Sequence, residues 1–311
     1  MDCCDPQAMT GQTPIALTIA GSDSGGGAGV QADLRTFAAL GVYGASAITA
    51  LTAQNTKGVR AVHFAPPAIV AAEIEAVLED FAVAAIKIGM LGGAETARAV
   101  TKALRAPSPR PSPASGRGGA SLLPLAGEGG GALAPPDEGQ MRAFIVYDPV
   151  MAASSGGTLS GPDLIGAVKR ELMPLVDCLT PNLAEAARLL GVPPATSEAD
   201  MTDQGRALLE LGARAVVMKG GHLEGDEAVD LLVTAEAVQR FAAPRIASAN
   251  LHGTGCTLSS AIAAYRILGM SLLEAVGAAK AFAREAIERG RSVALGAGAG
   301  PLLQTGLNTT R

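Results

Sequence analysis

The stretch Ile15-Ala16-Leu17-Thr18-Ile19-Ala20-Gly21-Ser22-Asp23-Ser24-Gly25-Gly26-Gly27-Ala28-Gly29 decides how this chain folds. Residues 15–20 read as a buried strand. The strand runs straight into a glycine loop. Beyond the loop, Val30, Leu34, Phe37 and Leu40 recur at helical spacing until Gly41 stops the helix. Strand, glycine loop and helix are the opening of an α/β unit. The Gly25–Gly29 run lets backbone approach a ligand closely, and it suits a plain tight turn equally well. No Gly-Lys-Ser/Thr closes it, so it is not a Walker A loop. Its glycines are also too compact for the dinucleotide fingerprint.

The same alternation continues along the chain. Residues 45–51 form a second apolar run, followed by Thr52-Ala53-Gln54-Asn55-Thr56. Pro66 and Pro67 introduce a helix whose apolar face carries Val70, Ile74, Val77, Leu78 and Phe81. Strands are predicted at 86–90, 144–151, 175–180 and 215–219, each leading into a loop or a helix. One helix starts near Asp163, after a glycine-containing loop over 154–161. Another covers 183–190, with Asn182 as cap, Glu185 three residues on and Gly191 as stop. A further helix is expected over 202–211. Residues 229–233 and 237–242 read as a hairpin. Ser271 and Glu274 form a capping box for a last helix.

These repeats predict an α/β fold with three αβα layers: a mostly parallel central sheet with helices on both faces. A single domain is expected over 14–290, flanked by a disordered tail over 1–13 and a weakly patterned C-terminal tail over 291–311. Residues 106–142 break the pattern with Pro, Ser, Gly and Arg. They read as a low-complexity, disordered insertion. Ligands bind such sheets at the carboxyl ends of their strands. Gly21–Gly29, Gln54, Met90, Asp148, Asn182, Lys219 and Cys256 are all predicted there.

Asn250-Leu251-His252-Gly253-Thr254-Gly255-Cys256-Thr257 reads as a strand end, a glycine turn and a helix starting at or just before Cys256. Free N–H groups and the helix dipole make such a start an anion site. Gly253 and Gly255 are therefore candidates to cradle a phosphoryl group. A thiol in a first helical turn has its pKa drawn down. Cys256 is otherwise an ordinary core residue; as a thiolate it would accept a proton from an acceptor hydroxyl.

The remaining candidates each carry a plainer alternative. Gln54 offers one donor and one acceptor in a plane, matching a heterocycle edge, or it is a solvated loop amide. Asn182 and Glu185 cap a helix; Glu185 would also hold Mg²⁺ through water near nucleotide phosphates. Lys219 ends a buried strand and suits a transferring phosphoryl group. His63, His222 and His252 are too scattered for a metal site, and His252 is expected only to shape its turn.

A formal charge of −5, no Trp, three Tyr and six Phe argue against nucleic acid as a partner. No apolar run is long enough to span a membrane, and no signal peptide is evident. The four cysteines, Cys3, Cys4, Cys178 and Cys256, match no zinc or disulfide pattern, and Cys178 is expected in the core. A cytoplasmic setting is the expectation.

Several runs together resemble the hydroxymethylpyrimidine/phosphomethylpyrimidine kinases of thiamine biosynthesis, members of the ribokinase-like superfamily. They are residues 17–33, 48–56, 87–91, 148–151, 180–186, 218–222 and 252–259, in the family's order. The resemblance implies a ribokinase-like fold. It implies ATP- and Mg²⁺-dependent phosphorylation of 4-amino-5-hydroxymethyl-2-methylpyrimidine, and then of its monophosphate. It places Gln54 on the pyrimidine edge, with Gly21, Ala28, Met90 and Val150 lining the pocket and Asp33 near it. Asn182, Glu185, Lys219 and Thr254 would serve ATP. Cys256 stands where many superfamily members carry an aspartate base. A homodimer is implied as well. The alternatives are a pyridoxal or pyridoxine kinase of the same superfamily, and a catalytically silent heterocycle-binding protein.

Overall fold

The computed structural model of the chain describes residues 13–106, 142–151 and 163–306. The opening stretch folds as read: β1 (Ile15–Asp23) feeds α1 (Gly29–Ala39). Then come β2 (Tyr43–Asn55), β3 (Gly58–Phe64), α2 (Pro67–Asp80), β4 (Ala85–Ile88), α3 (Ala94–Arg105) and β5 (Phe144–Tyr147). The second half has α4 (Leu164–Ala167), β6 (Cys178–Leu179), α5 (Leu183–Leu190), α6 (Glu198–Leu209), β7 (Val216–Lys219), β8 (Glu227–Val233) and β9 (Val238–Pro244). It closes with α7 (Thr254–Ile267) and α8 (Leu272–Gly290).

All nine strands form one sheet in the order β3-β2-β1-β4-β5-β6-β7-β8-β9. The six strands from β2 to β7 pair in parallel, while β3 at one edge and β8–β9 at the other are antiparallel. Period-2 alternation divides the core between the two faces. Leu17, Ile19, Ile86 and Ile88 pack against α2 to α6, whereas Ala16 and Ala85 pack with Phe37 of α1, Ile262 of α7 and Val276 of α8. The three-layer αβα architecture follows.

Local signals hold well. Asn182 and Glu185 form a reciprocal capping box, Gly191 ends α5 in the left-handed region at φ 76°, and Ser271 and Glu274 do the same capping for α8. Each such cap is worth about 1 kcal/mol. Residues 227–244 form the expected hairpin. Cys178 is fully buried.

Four readings are corrected. The segment after residue 51 is not a loop: β2 runs on to Asn55 and pairs antiparallel with β3. No strand precedes the glycine turn at 253, because β9 ends at Pro244 and an irregular segment leads into α7. The expected strand over 175–180 shrinks to two residues, after a π turn and a 3₁₀ turn over 168–175. Packing does not stop at residue 290 either. Leu302 and Gln304 are buried, and Gln304 Nε2 donates to Thr257 Oγ1 at 2.9 Å. The 154–161 loop, residues 1–12, 107–141 and 307–311 lie outside the described residues.

Candidate active site

The carboxyl ends of β1, β2, β4, β5, β6 and β7 open into one cavity of about 730 Å³, which the start of α7 also lines. That volume is within the usual range for small-ligand sites. Gly21, Ala28, Gln54, Met90 and Val150 line one part of it. Asn182, Glu185, Lys219 and Thr254 line another, and Gly253, Gly255 and Cys256, at the start of α7, line it as well.

Gly253 caps α7 with φ 90°, a conformation few residues other than glycine adopt. A Cβ there would run into the carbonyl of Gly27, so the α7 turn rests directly on the β1 glycine loop. Thr254 and Cys256 fall in the first turn of α7, where unpaired N–H groups gather. A Cβ on Gly255 would lie 3.1 Å from Lys219 Nζ and 3.6 Å from Asp148 Oδ2, so this glycine keeps the turn open to both.

Lys219 Nζ is 2.6 Å from Asp148 Oδ1 and 3.7 Å from Glu185 Oε2. Burial alone would lower the Lys219 pKa, but the carboxylates of Asp148 and Glu185 raise it beyond its ordinary value. Lys219 is therefore a fixed positive charge at the α7 turn. Burial pushes the Glu185 carboxyl up to about 7, against the pull of Lys219 and with repulsion from Asp148. Asp148 is buried and also meets Thr180 Oγ1 and Ser259 Oγ, each at 3.4 Å.

Cys256 departs from the expectation. Its thiol is pushed up to about 11, chiefly by burial. Lys87 and the Gly29 N–H draw it down, but the charges of Asp33 and Asp148 oppose them. The helix start does not win, because the sulfur is nearly enclosed. At rest the group is a neutral thiol.

Asp33 lies one contact behind the cavity wall. It has no exposed surface and does not line the cavity. Its carboxylate takes both Oδ atoms to Lys87 Nζ at 2.9 Å, and accepts from Thr18 Oγ1 at 2.6 Å and Ser260 Oγ at 2.7 Å. Burial would lower the Lys87 pKa, but the Asp33 charge prevails and raises it. Lys87, not Asp33, reaches the cavity wall.

Sequence reasoning placed Asp148, and Asp23 within the Gly21–Gly29 loop, at the strand ends of the site without giving either a role, and it did not assign Lys87 or His252 to the site. A lysine between isoleucines in a buried strand was a usable signal, since charged residues are seldom buried without a partner. Asp148 ends a buried strand, which is a further signal. The contact of His252 with Asp23 had none, because 229 residues separate them. His252 Nε2 lies 2.8 Å from Asp23 Oδ2 and 3.0 Å from the Gln54 carboxamide. Burial would raise the Asp23 pKa, but bonds from His252, Ala28 and Gly25 prevail and hold it below the usual carboxylate range.

Among the described residues no cluster of three or more His, Cys, Asp or Glu is arranged to hold a metal. Mg²⁺ commonly takes one or two carboxylates and fills its shell with water and phosphate oxygens. Glu185 and Asp148, both hard oxygen donors on the cavity wall, fit that habit. No helix among the described residues is long and apolar enough to cross a membrane.

A doubly covered parallel sheet, a glycine-capped helix start and a carboxylate-flanked lysine in one cavity define a small-molecule kinase of the α/β class. The model of the phosphomethylpyrimidine kinase family matches residues 23–112 and 138–303, and the chain belongs to that family. The match leaves out 113–137, within the expected insertion. The chain is 47% identical over 290 residues to the hydroxymethylpyrimidine/phosphomethylpyrimidine kinase of Rhizobium meliloti, covering 93% of this chain and 96% of that protein. It is 42% identical over 287 residues to the Escherichia coli enzyme of the same name, covering 92% and 96%. Among solved structures, the phosphomethylpyrimidine kinase of Clostridium difficile 630 aligns with a TM-score of 0.68 at 38% identity, over 88% of this chain and all of that one. The pyridoxal kinase of Staphylococcus aureus, in complex with AMP-PCP and pyridoxal, aligns with a TM-score of 0.77 at 29% identity over 96% of each chain.

Proposed function

We propose that the chain transfers the γ-phosphoryl group of ATP to the hydroxymethyl oxygen of 4-amino-5-hydroxymethyl-2-methylpyrimidine, and then phosphorylates the monophosphate to the pyrophosphate. One observation carries this reading: Gln54 and the Lys219–Gly255 contact open into the same cavity. A planar donor–acceptor group therefore faces the space into which the phosphate cradle opens.

The acceptor ring sits between Met90, Val150, Gly21 and Ala28, with its edge on Gln54. ATP lies along Asn182, Glu185 and Thr254, its γ-phosphate at the α7 turn. The acceptor oxygen forms a bond to phosphorus while the bond to the β-phosphate oxygen breaks and ADP leaves. Lys219 and the N–H groups of the turn stabilise the charge on the equatorial oxygens. Glu185 and Asp148 would hold Mg²⁺, which would supply further neutralisation of the phosphates. Phosphoryl transition states are loose, so the hydroxyl proton departs late. A neutral Cys256 thiol is compatible with this order: it holds the hydroxyl oxygen in line, and the proton passes to a phosphoryl oxygen.

The pyridoxal kinase reading keeps one specific support, the higher TM-score of the Staphylococcus aureus structure. The test is phosphorus NMR of ATP reactions with the pyrimidine alcohol. Sequential appearance of a monoester and a pyrophosphate supports the proposal; no phosphorylated pyrimidine refutes it.

A further inference from the structure

We infer that His252, locked by Asp23, is a positioning residue that sets which way the Gln54 carboxamide faces, and thereby selects an aminopyrimidine edge over a pyridine. The inference rests on the proposed substrate class. Its first step is independent of that class.

Asp23 is bound as an acceptor on every side. Its Oδ1 takes the Gly25 N–H at 2.8 Å, and its Oδ2 takes the N–H groups of Gly27 at 3.0 Å and Ala28 at 2.9 Å. An oxygen that already accepts two N–H groups has no proton to give. His252 Nε2, 2.8 Å from that same Oδ2, must therefore be the donor, so Nε2 carries hydrogen. The ring packs directly on the glycine loop. A Cβ on Gly27 would overlap its Cδ2 atom, and the His252 backbone N–H is tied to the Gly300 carbonyl at 3.2 Å.

The consequence falls on Gln54. Its carboxamide lies 3.0 Å from the same Nε2 and 3.4 Å from Thr52 Oγ1. With the amide nitrogen towards His252, two N–H groups would face each other. At the other end, the Thr52 hydroxyl spends its single hydrogen on the Ser22 carbonyl at 2.9 Å, so it can only accept from Gln54. An amide oxygen there would meet only lone pairs. Both conflicts ease when the carboxamide is turned by a half-turn: its oxygen shares the single Nε2 hydrogen of His252 with Asp23 Oδ2 in a three-centre bond, and its NH₂ donates to Thr52. The two ends of a carboxamide are nearly isosteric, so the network decides between them.

In that orientation one N–H and one oxygen lone pair of Gln54 remain for a ligand, in a fixed order. An exocyclic amine beside a ring nitrogen is the complementary edge. A pyridine alcohol lacks such a neighbouring pair and leaves one half of the amide unmatched.

Two arms test this on the full chain. The chain has three histidines, so His63→Gln and His222→Gln assign the imidazole signals of the unliganded enzyme. Long-range ¹⁵N–¹H correlation is expected to show His252 Nε2 protonated; a bare Nε2 in a neutral ring overturns the inference. In the kinetic arm, His252→Leu is expected to raise KM for the pyrimidine alcohol about tenfold, the equivalent of one hydrogen bond, while KM for ATP changes less than about twofold. In a Gln54→Ala background the same substitution should shift pyrimidine KM less than about twofold. Equal losses in both backgrounds would show that His252 acts on the loop and not through Gln54, against the inference. If the wild type turns over no aminopyrimidine, the substrate reading fails, the edge selection fails with it, and the NMR arm still decides the His252 lock.

Discussion

Lys219 Nζ lies 2.6 Å from Asp148 Oδ1, at the foot of the helix that Gly253 caps. A strand-end lysine and a strand-end aspartate from β7 and β5 thus share one buried contact beside a glycine turn. The pairing keeps the largely buried ammonium charged beside the α7 turn, where a bound phosphate would meet it with little screening.

Lys219→Met is expected to lower kcat about 10²–10³-fold, the scale for losing one preorganised electrostatic partner. KM for the pyrimidine should change little, because Gln54 is on the other arm of the site. Steady-state kinetics with each substrate varied checks this. A loss confined to pyrimidine KM would assign Lys219 to the wrong ligand.

Asp33→Asn leaves Lys87 buried without a counter-charge. Breaking a buried pair in this way costs about 3–5 kcal/mol. Urea unfolding should show that loss, with pyrimidine KM nearly unchanged at a temperature where the variant is folded. Unchanged stability with a raised KM would assign Asp33 to substrate binding instead.

Cys256 is expected to alkylate slowly at neutral pH, with a rate that climbs towards pH 11. Below that value the thiol keeps its proton, and the reactive thiolate appears only as pH rises through it. Mass spectrometry of the Cys256 peptide after iodoacetamide pulses gives the profile. A plateau below pH 8 would restore the thiolate base. Cys256→Ser should then discriminate again: a positioning role predicts a fall of less than about tenfold, whereas a thiolate base predicts 10²–10⁴-fold.

Residues 113–137 fall outside the family match. Their deletion is expected to leave melting temperature and kcat/KM within about twofold. A folded deletion variant with collapsed activity would assign the segment a role in the site.

The legible parts of this fold were those written locally. The Asn182–Glu185 box, the Gly191 stop and the Ser271–Glu274 cap each need only neighbours in sequence. The glycine loop and strand-end residues located the cavity for the same reason. What stayed hidden depended on distant partners. β3 is an exposed edge strand, and its alternation is too weak to mark it without β2 beside it. The Cys256 thiol lies at a helix start, which predicted the wrong direction, because burial is set by α1, β4 and β5 packing against α7. Residues 291–306 carry little pattern of their own and are placed by Asn250, Thr257 and Ala286.

The most direct test puts equal concentrations of the pyrimidine alcohol and pyridoxal in one vessel with limiting ATP and wild-type enzyme, and counts phosphorylated products by mass spectrometry. The ratio of products is the ratio of kcat/KM values. The account predicts a large excess of phosphorylated pyrimidine; an excess of pyridoxal phosphate would contradict it.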